Sequence, residues 1–510
     1  MAAAQHAAEL QAVEQAITAL YTSAAAADAN AANQWLLAYT ATPGAWAAYP
    51  ALLTSSPHAE VRFFAANALY HKVRAAWGGL RAPQEREGVV AHLWATLEGA
   101  GAGADVAVQR RLCLALAAAT VQTPGELPAF YSRFAALAGR VLASGDASEA
   151  SVRALLVCTE ALAAAAELGT EMQLPPGARE ALARDLAAVA PGVLQLLHAL
   201  LARPESPASV AAALRPGAPA AVCAALLGAL NCFRAWALAG SRAAPATKAF
   251  TLAALRAPGV LLAAVDLLAA TGEHASASGA SASASATLAS AAVSAVTLVL
   301  ADAAGLELEA KHEALTAVAL RALAGLPALR AACAPRAPPA PAYLCAWGEL
   351  LEALCREGEW LATGGGGGCA ALQPAALGGL PLGSFRFALA AADAGSDGAP
   401  VLACGGVPMG VGVLLADAVL ALAASPRPPL AAFFALEVVQ TLGVGERHPF
   451  VRHHAHAALA LVLVGQFVDP RARGAAAAAA AAEALSDREA WLDLRKLWCK
   501  DALVDCAYVL

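Results

Sequence analysis

The chain has 510 residues, more than one hydrophobic core usually supports, so it builds either several domains or an elongated array whose core grows with length. A formal net charge of −6 and a pI near 6.0 leave no electrostatic footprint for nucleic acid. The hydrophobic fraction of 59% and mean hydropathy of +0.57 suggest a membrane protein at first sight, but alanine dominates them, and alanine is a helix former rather than a lipid-seeking residue.

The best spanning candidate, residues 401–424, contains Asp417, Pro408 and several glycines, and a charge at mid-helix is expensive in lipid, so no transmembrane segment is expected. The first residues show no basic region followed by an apolar run, which argues against a secretory signal. Eleven cysteines are scattered without a CxxC pair and read as reduced, mostly buried thiols of a cytosolic or nuclear protein.

In chain order, residues 7–22 form a helical stretch with Leu10, Val13, Ala16, Ile17 and Leu20 on one face. Asp28 and Asn30 are placed to cap a second helix through Trp35, Leu36 and Tyr39, which Pro43-Gly44 ends. A short segment, 45–54, carries Pro50. Residues 57–77 follow, with Val61, Phe64, Ala65, Ala68, Leu69, Val73 and Ala76 in one apolar stripe. Arg62, Asn67, His71 and Arg74 fall off that stripe, and Gly78-Gly79 stops the helix. A lone helix cannot bury so wide a stripe and needs a partner beside it. The same need returns at intervals of roughly 40–50 residues, the spacing of helical-hairpin repeats.

The next pair is 84–99 and 105–123, separated by a glycine-rich stretch at 99–103. A fourth pair, 129–142 and 148–168, follows a turn marked by Pro124 and Pro128. Residues 179–201 read as a long helix that Pro191 should kink or split. Pro219 opens another, 220–238. Residues 258–270 and 287–304 make a sixth pair around a Ser/Ala tract at 274–286, expected to be a loop extension. After 306–329 and a proline-rich stretch comes a strong helix at 343–362, then a glycine-rich insertion at 363–383. The last clear pair is 430–442 and 448–467. An alanine-rich run at 471–484 precedes a terminal amphipathic helix whose Ser486 and Glu489 have capping-box spacing.

Several elements carry a family resemblance. Pro43, Trp46, Leu52 and Leu53, followed by Phe63-Phe64-Ala65-Ala66 and a basic stretch ending at Trp77, resemble the first repeats of importin-β-type nuclear transport receptors, the karyopherins. Further on, Pro176, Arg179 and Asp185-Leu186, then Cys232 and Trp236, are similar to the transportin-SR branch of that family, which includes the importin-thirteen type. His448-Pro449 resembles the family's His-Pro turn between paired helices.

The resemblance implies an all-α fold, an α-solenoid of HEAT-like antiparallel helix pairs. Residues 1–170 would be the N-terminal repeats, 171–470 further repeats with the insertions near 274–286 and 363–383, and 471–510 a linker and terminal helix. Family members are much longer, so the chain reads as the N-terminal half of one, a truncated form. The resemblance also implies a receptor that binds the small GTPase Ran in its GTP state, meets phenylalanine-glycine nucleoporins, and shuttles between cytoplasm and nucleus. It would carry protein cargo, such as Ser/Arg-rich splicing factors, in the direction of import. The positions matching the Ran-binding repeats are Asn67, His71 and Arg74, with Gln109 and Arg110 from the next repeat. An alternative for each is an ordinary solvated surface residue, and an alternative for the chain is a HEAT-type scaffold outside transport.

No phosphate-cradling GxxxxGK[ST] occurs, the run Gly364–Gly368 lacks the Lys-Ser/Thr such a loop needs, and no cofactor motif is present. His448, His453, His454 and His456 form a histidine cluster, but no HExxH, cysteine or carboxylate completes a zinc set, and a polar helix face is the expectation. Glu349, Glu352, Glu357 and Glu359 spread around a helix as a solvated acidic face. The chain reads as a binder, with a hydrolase or transferase hidden at 363–410 as the weakest alternative. That alternative requires a mixed sheet and a pocket.

Overall fold

A computed structural model describes residues 2–99, 105–146, 148–202, 220–243, 248–274, 280–303, 309–325, 328–329, 341–357, 390–393, 400–404 and 407–408. Helices dominate these residues. The chain divides into two compact units, the first taking most of residues 1–250 and the second most of the remainder.

In the first unit the helices are α1 (Ala2–Thr22), α2 (Ala26–Ala41), α3 (Ala45–Ser55), α4 (Ala59–Ala76), α5 (Pro83–Gly99), α6 (Val106–Val121), α7 (Leu127–Ser144), α8 (Glu149–Glu171), α9 (Pro176–Ala202) and α10 (Ala220–Ala243). Within the pairs α1 packs on α2, α3 on α4, α5 on α6 and α7 on α8. Between pairs, α1, α3 and α5 line up in one row, and α4, α6, α8 and α10 in another. This is the HEAT-like solenoid arrangement, in which each pair buries its stripe only against its neighbours.

The stripe on α4 is buried at Val61, Ala65, Ala68, Leu69 and Val73, as its spacing predicts. Val13 and Ile17 are likewise fully covered on α1. A side chain the periodicity hides completes the junction. Lys72, only 5% exposed, donates to the carbonyls of Thr40 (2.6 Å) and Thr42 (2.9 Å). Those carbonyls lie at the C-terminal end of α2, where a cation meets the negative end of the helix dipole. The ammonium also lies 5.0 Å from the Trp46 ring, Trp46 packs on Trp77, and Trp77 Nε1 donates to Thr123 Oγ1 (3.1 Å). The tryptophans that carry the family resemblance thus connect three successive pairs.

The second resemblance is equally structural. Trp236 is 1% exposed and its Nε1 donates to the Leu162 carbonyl of α8 (3.0 Å). Asp185 accepts from the amide of Gly125 (2.9 Å), whose φ of +85° suits the turn between α6 and α7. The first unit also includes Phe250, which packs on Phe233 and Trp236. Gly240 lies so close to Phe250 that an added Cβ would sit 2.8 Å from the phenylalanine Cβ.

The second unit contains α11 (Ala249–Arg256) from Thr251 onward, α12 (Gly259–His274), α13 (Ala280–Asp302), α14 (Glu309–Ala324) and α15 (Pro341–Glu357). Here α12 packs on α13 and on α14, and α13 packs on α15, repeating the two-row pattern. Leu344, Trp347, Leu350, Leu351 and Leu354 form the buried face of α15. Thr251 Oγ1 donates to Asp302, and Arg321 pairs with Asp266 across α14 and α12. The described strands, β1 (Ala390–Asp393), β2 (Pro400–Cys404) and β3 (Val407–Pro408), make a ribbon that is antiparallel throughout. The mixed sheet required by a hidden hydrolase or transferase is not what these strands form.

Three local expectations are corrected. Asp28 and Asn30 lie inside α2 rather than capping it; the N-cap is Ala25, whose amide meets Ser23 Oγ (3.3 Å). Pro191 does not split α9, which runs unbroken through it: the ring is exposed, while Val189, Ala190, Val193 and Leu194 are buried around it. Packing of that face outweighs one lost backbone bond. The Ser/Ala tract is helical from Ala280, because alanine extends a helix already anchored by Leu288, Val293 and Val296. Residues 401–404 of the spanning candidate are strand. The segments expected at 363–383, 430–442, 448–467 and 471–510, with His448, His453, His454 and His456, lie outside the described residues.

By length and composition three described helices could cross a membrane, Pro176–Ala202, Ala220–Arg242 and Ser285–Asp302, or four if the bent pair Ala249–Arg256 and Gly259–Thr271 is one span. The same apolar residues are used inside the stack: 61% of the α10 window is buried, with Leu226, Leu230 and Phe233 fully covered.

Cys113, Cys158 and Cys232 follow one another on α6, α8 and α10, all buried and unpaired. Burial pushes their thiols up, Cys158 to about 12, so little thiolate exists near neutrality. We expect all three to resist iodoacetamide in the folded chain and to react once guanidinium unfolds it. Mass-spectrometric mapping of rapid native-state alkylation at any of them would contradict their placement.

Candidate functional site

Asn67, His71 and Arg74 recur at i, i+4 and i+7 on α4, so they share one helical face. Asn67 is half-buried; His71 and Arg74 are exposed. Helix α6 packs directly against α4 and brings Gln109 and Arg110 from the next pair. The structure therefore puts the five residues on neighbouring helices of one row, but it treats them differently.

Arg110 is exposed and already held: its Nε donates to both carboxylate oxygens of Glu160 on α8 (2.8 and 3.0 Å). Gln109 is 7% exposed, and its Oε1 has no hydrogen-bond partner, so this side chain does not face solvent. Arg74 donates to Tyr70 Oη on its own helix (3.2 Å) and to Glu171 at the end of α8 (3.5 Å). Burial, then the charges of Arg111 and Arg74, hold the His71 imidazole below its ordinary pKa. The adjacent Arg111 lies 5.9 Å over the Phe63 ring.

Sequence reasoning missed Arg111, Glu160 and Glu171. The Arg110-Arg111 doublet in an otherwise apolar helix was the available signal for the first; nothing local marks the two glutamates. Exposed pairs such as Arg110–Glu160 and Arg74–Glu171 contribute only about 0.2–1 kcal/mol each. The arrangement is a charged, solvent-facing strip laid over a fixed helical frame, suited to protein recognition. Among the described residues no three His, Cys, Asp or Glu side chains come together as a metal site. A small apolar crevice bounded by Leu186, Trp236, Gly240 and Phe250 has no titratable group in its lining.

No family model matches the chain. It is similar to importin-13 from Bos taurus and from Rattus norvegicus, each 28% identical over 198 residues, and to importin-13 from Homo sapiens, 27% identical over the same length. The matched stretch spans 39% of this chain and 20% of those relatives. Among solved structures, Kap121p bound to Pho4p aligns with 98% of this chain and 53% of its own, at 10% identity and a TM-score of 0.25, a likeness too loose to argue from. The chain is thus similar in sequence to importin-13 over a stretch of 198 residues, which is 20% of those relatives' own length.

Proposed function

We propose that the chain is a nuclear transport receptor of the importin type, or part of one, that binds Ran in its GTP state and moves between cytoplasm and nucleus with protein cargo. The similarity to importin-13 is the observation that carries this reading. The row formed by α4, α6 and α8 is the proposed Ran-binding face, with Asn67, His71, Arg74 and Arg110 making contacts. Gln109 serves from beneath by setting the spacing of α4 and α6. Protein cargo, Ser/Arg-rich splicing factors among it, and phenylalanine-glycine nucleoporins are the further proposed partners, with import as the direction. The work is binding rather than catalysis. Stacked pairs adjust curvature by small shifts, so two ligands that need different curvatures oppose each other, at about 1–3 kcal/mol.

A pull-down with Ran locked in either nucleotide state tests this. Retention of the GTP form over the GDP form is expected. Equal retention, or none, would favour a HEAT-type scaffold outside transport.

A further inference from the structure

Glu171 is placed against local rules. It is the last residue of α8, where the helix dipole disfavours a carboxylate, and it stands four residues from Glu167, a like charge on the same face. Burial and the Glu171 charge both push the Glu167 carboxyl up, although Arg234 on α10 opposes them. What Glu171 gains is Arg74, on a helix two pairs earlier in the row. Helix α6 packs on both α4 and α8, and just past its end Gln122 Nε2 donates to the Val73 carbonyl of α4 (2.9 Å). A carboxylate that gives up local stability for a distant arginine points to a role for that arginine.

The surroundings of Arg74 are cationic. Arg111 has a ring contact with Phe63 but no ion pair among the described residues, and His71 lies in the field of both arginines. Arg110 differs in having Glu160. Arg111, and Arg74 once Glu171 releases it, are thus left for an anion from outside, with His71 beside them as a neutral hydrogen-bond donor. Two arginines make a point rather than the basic track that a nucleic-acid backbone requires.

We infer that His71, Arg74 and Arg111 form a docking point for an acidic segment of a protein partner, and that Glu171 holds Arg74 in the free chain as an internal stand-in for that segment. The inference rests on reading this row as a partner-binding face. Binding exchanges one carboxylate for another at Arg74 and frees α8 from α4, so occupancy loosens the row. Because the internal pair is exposed, the competition is modest. Removing Glu171 should tighten binding about two- to five-fold.

The test uses the full chain and a hexaglutamate peptide, with hexalysine and a short single-stranded oligonucleotide as controls, followed by calorimetric titration. Preferential binding of hexaglutamate, tightened in Glu171→Gln and weakened in Arg111→Ala, is expected. Circular dichroism checks that both variants fold. Absence of hexaglutamate binding, equal affinity in Glu171→Gln, or tighter binding of the oligonucleotide would overturn the inference. Ran binding is measured separately: nucleotide-dependent retention beside a failed peptide titration removes this inference alone, whereas a positive titration without Ran binding leaves the docking point and removes the Ran reading.

Discussion

Trp236→Ala is expected to cost about 3–5 kcal/mol, the range for emptying a fully buried aromatic site. Its indole is 1% exposed, stands 6.1 Å from the Phe250 ring, and donates to the Leu162 carbonyl. Truncation therefore opens a cavity and removes the donor from a buried carbonyl at once. Since each pair is held by its neighbours, the loss should spread along the row from α10 to α8 rather than stay local. Urea unfolding followed by far-UV circular dichroism reads this as an earlier first transition. A shift equivalent to less than about 1 kcal/mol would show that α8 and α10 are not joined through this ring.

Lys72→Met comes second, at about 2–3 kcal/mol. Methionine keeps the apolar stem but leaves the carbonyls of Thr40 and Thr42 without their charged donor. Hydrogen bonds to a charged group are each worth about 1.5–3 kcal/mol, and the stacking on Trp46 adds to them, while relief of the buried charge offsets part of the loss. The damage should appear in α2, whose end Lys72 holds. Amide exchange there is expected to accelerate by more than about tenfold, with α7 and α8 little changed. Unchanged exchange in α2 would mean that Lys72 caps nothing.

These two residues also show what a linear reading can and cannot see. Trp236 and Cys232 were visible as a spaced pair, and their role as core is what apolar spacing foretells. The α4 stripe was equally legible, since each pair can bury it only by stacking. Lys72 sits four residues before the end of that same helix, and a lysine in a periodic pattern reads as solvent-facing. Only the arrival of the α2 carbonyls, some thirty positions earlier, makes its burial favourable. Pro191 shows the reverse error. A rule about one backbone bond predicts a kink or a split; the helix is not split, because the apolar residues on both sides of the proline outweigh one lost bond.

The candidate site was half legible. Asn67, His71 and Arg74 were chosen through the family resemblance, and the α4 stripe they leave shows them only as off the apolar face. Gln109, named through the same resemblance, is nonetheless buried, because α6 is covered more widely than a single face implies. The acids that meet the arginines, Glu160 and Glu171, lie 50 and 97 positions away along the chain, so no local pattern could reveal them.

The row containing α4 and α6 is the face proposed to meet Ran. Titrating GTP-bound Ran against the chain and against a His71→Ala, Arg74→Ala, Arg110→Ala variant tests it most directly. Saturable binding to the wild-type chain is expected, with a loss of at least about tenfold in the variant at unchanged helical content. Equal affinity for both proteins would contradict it.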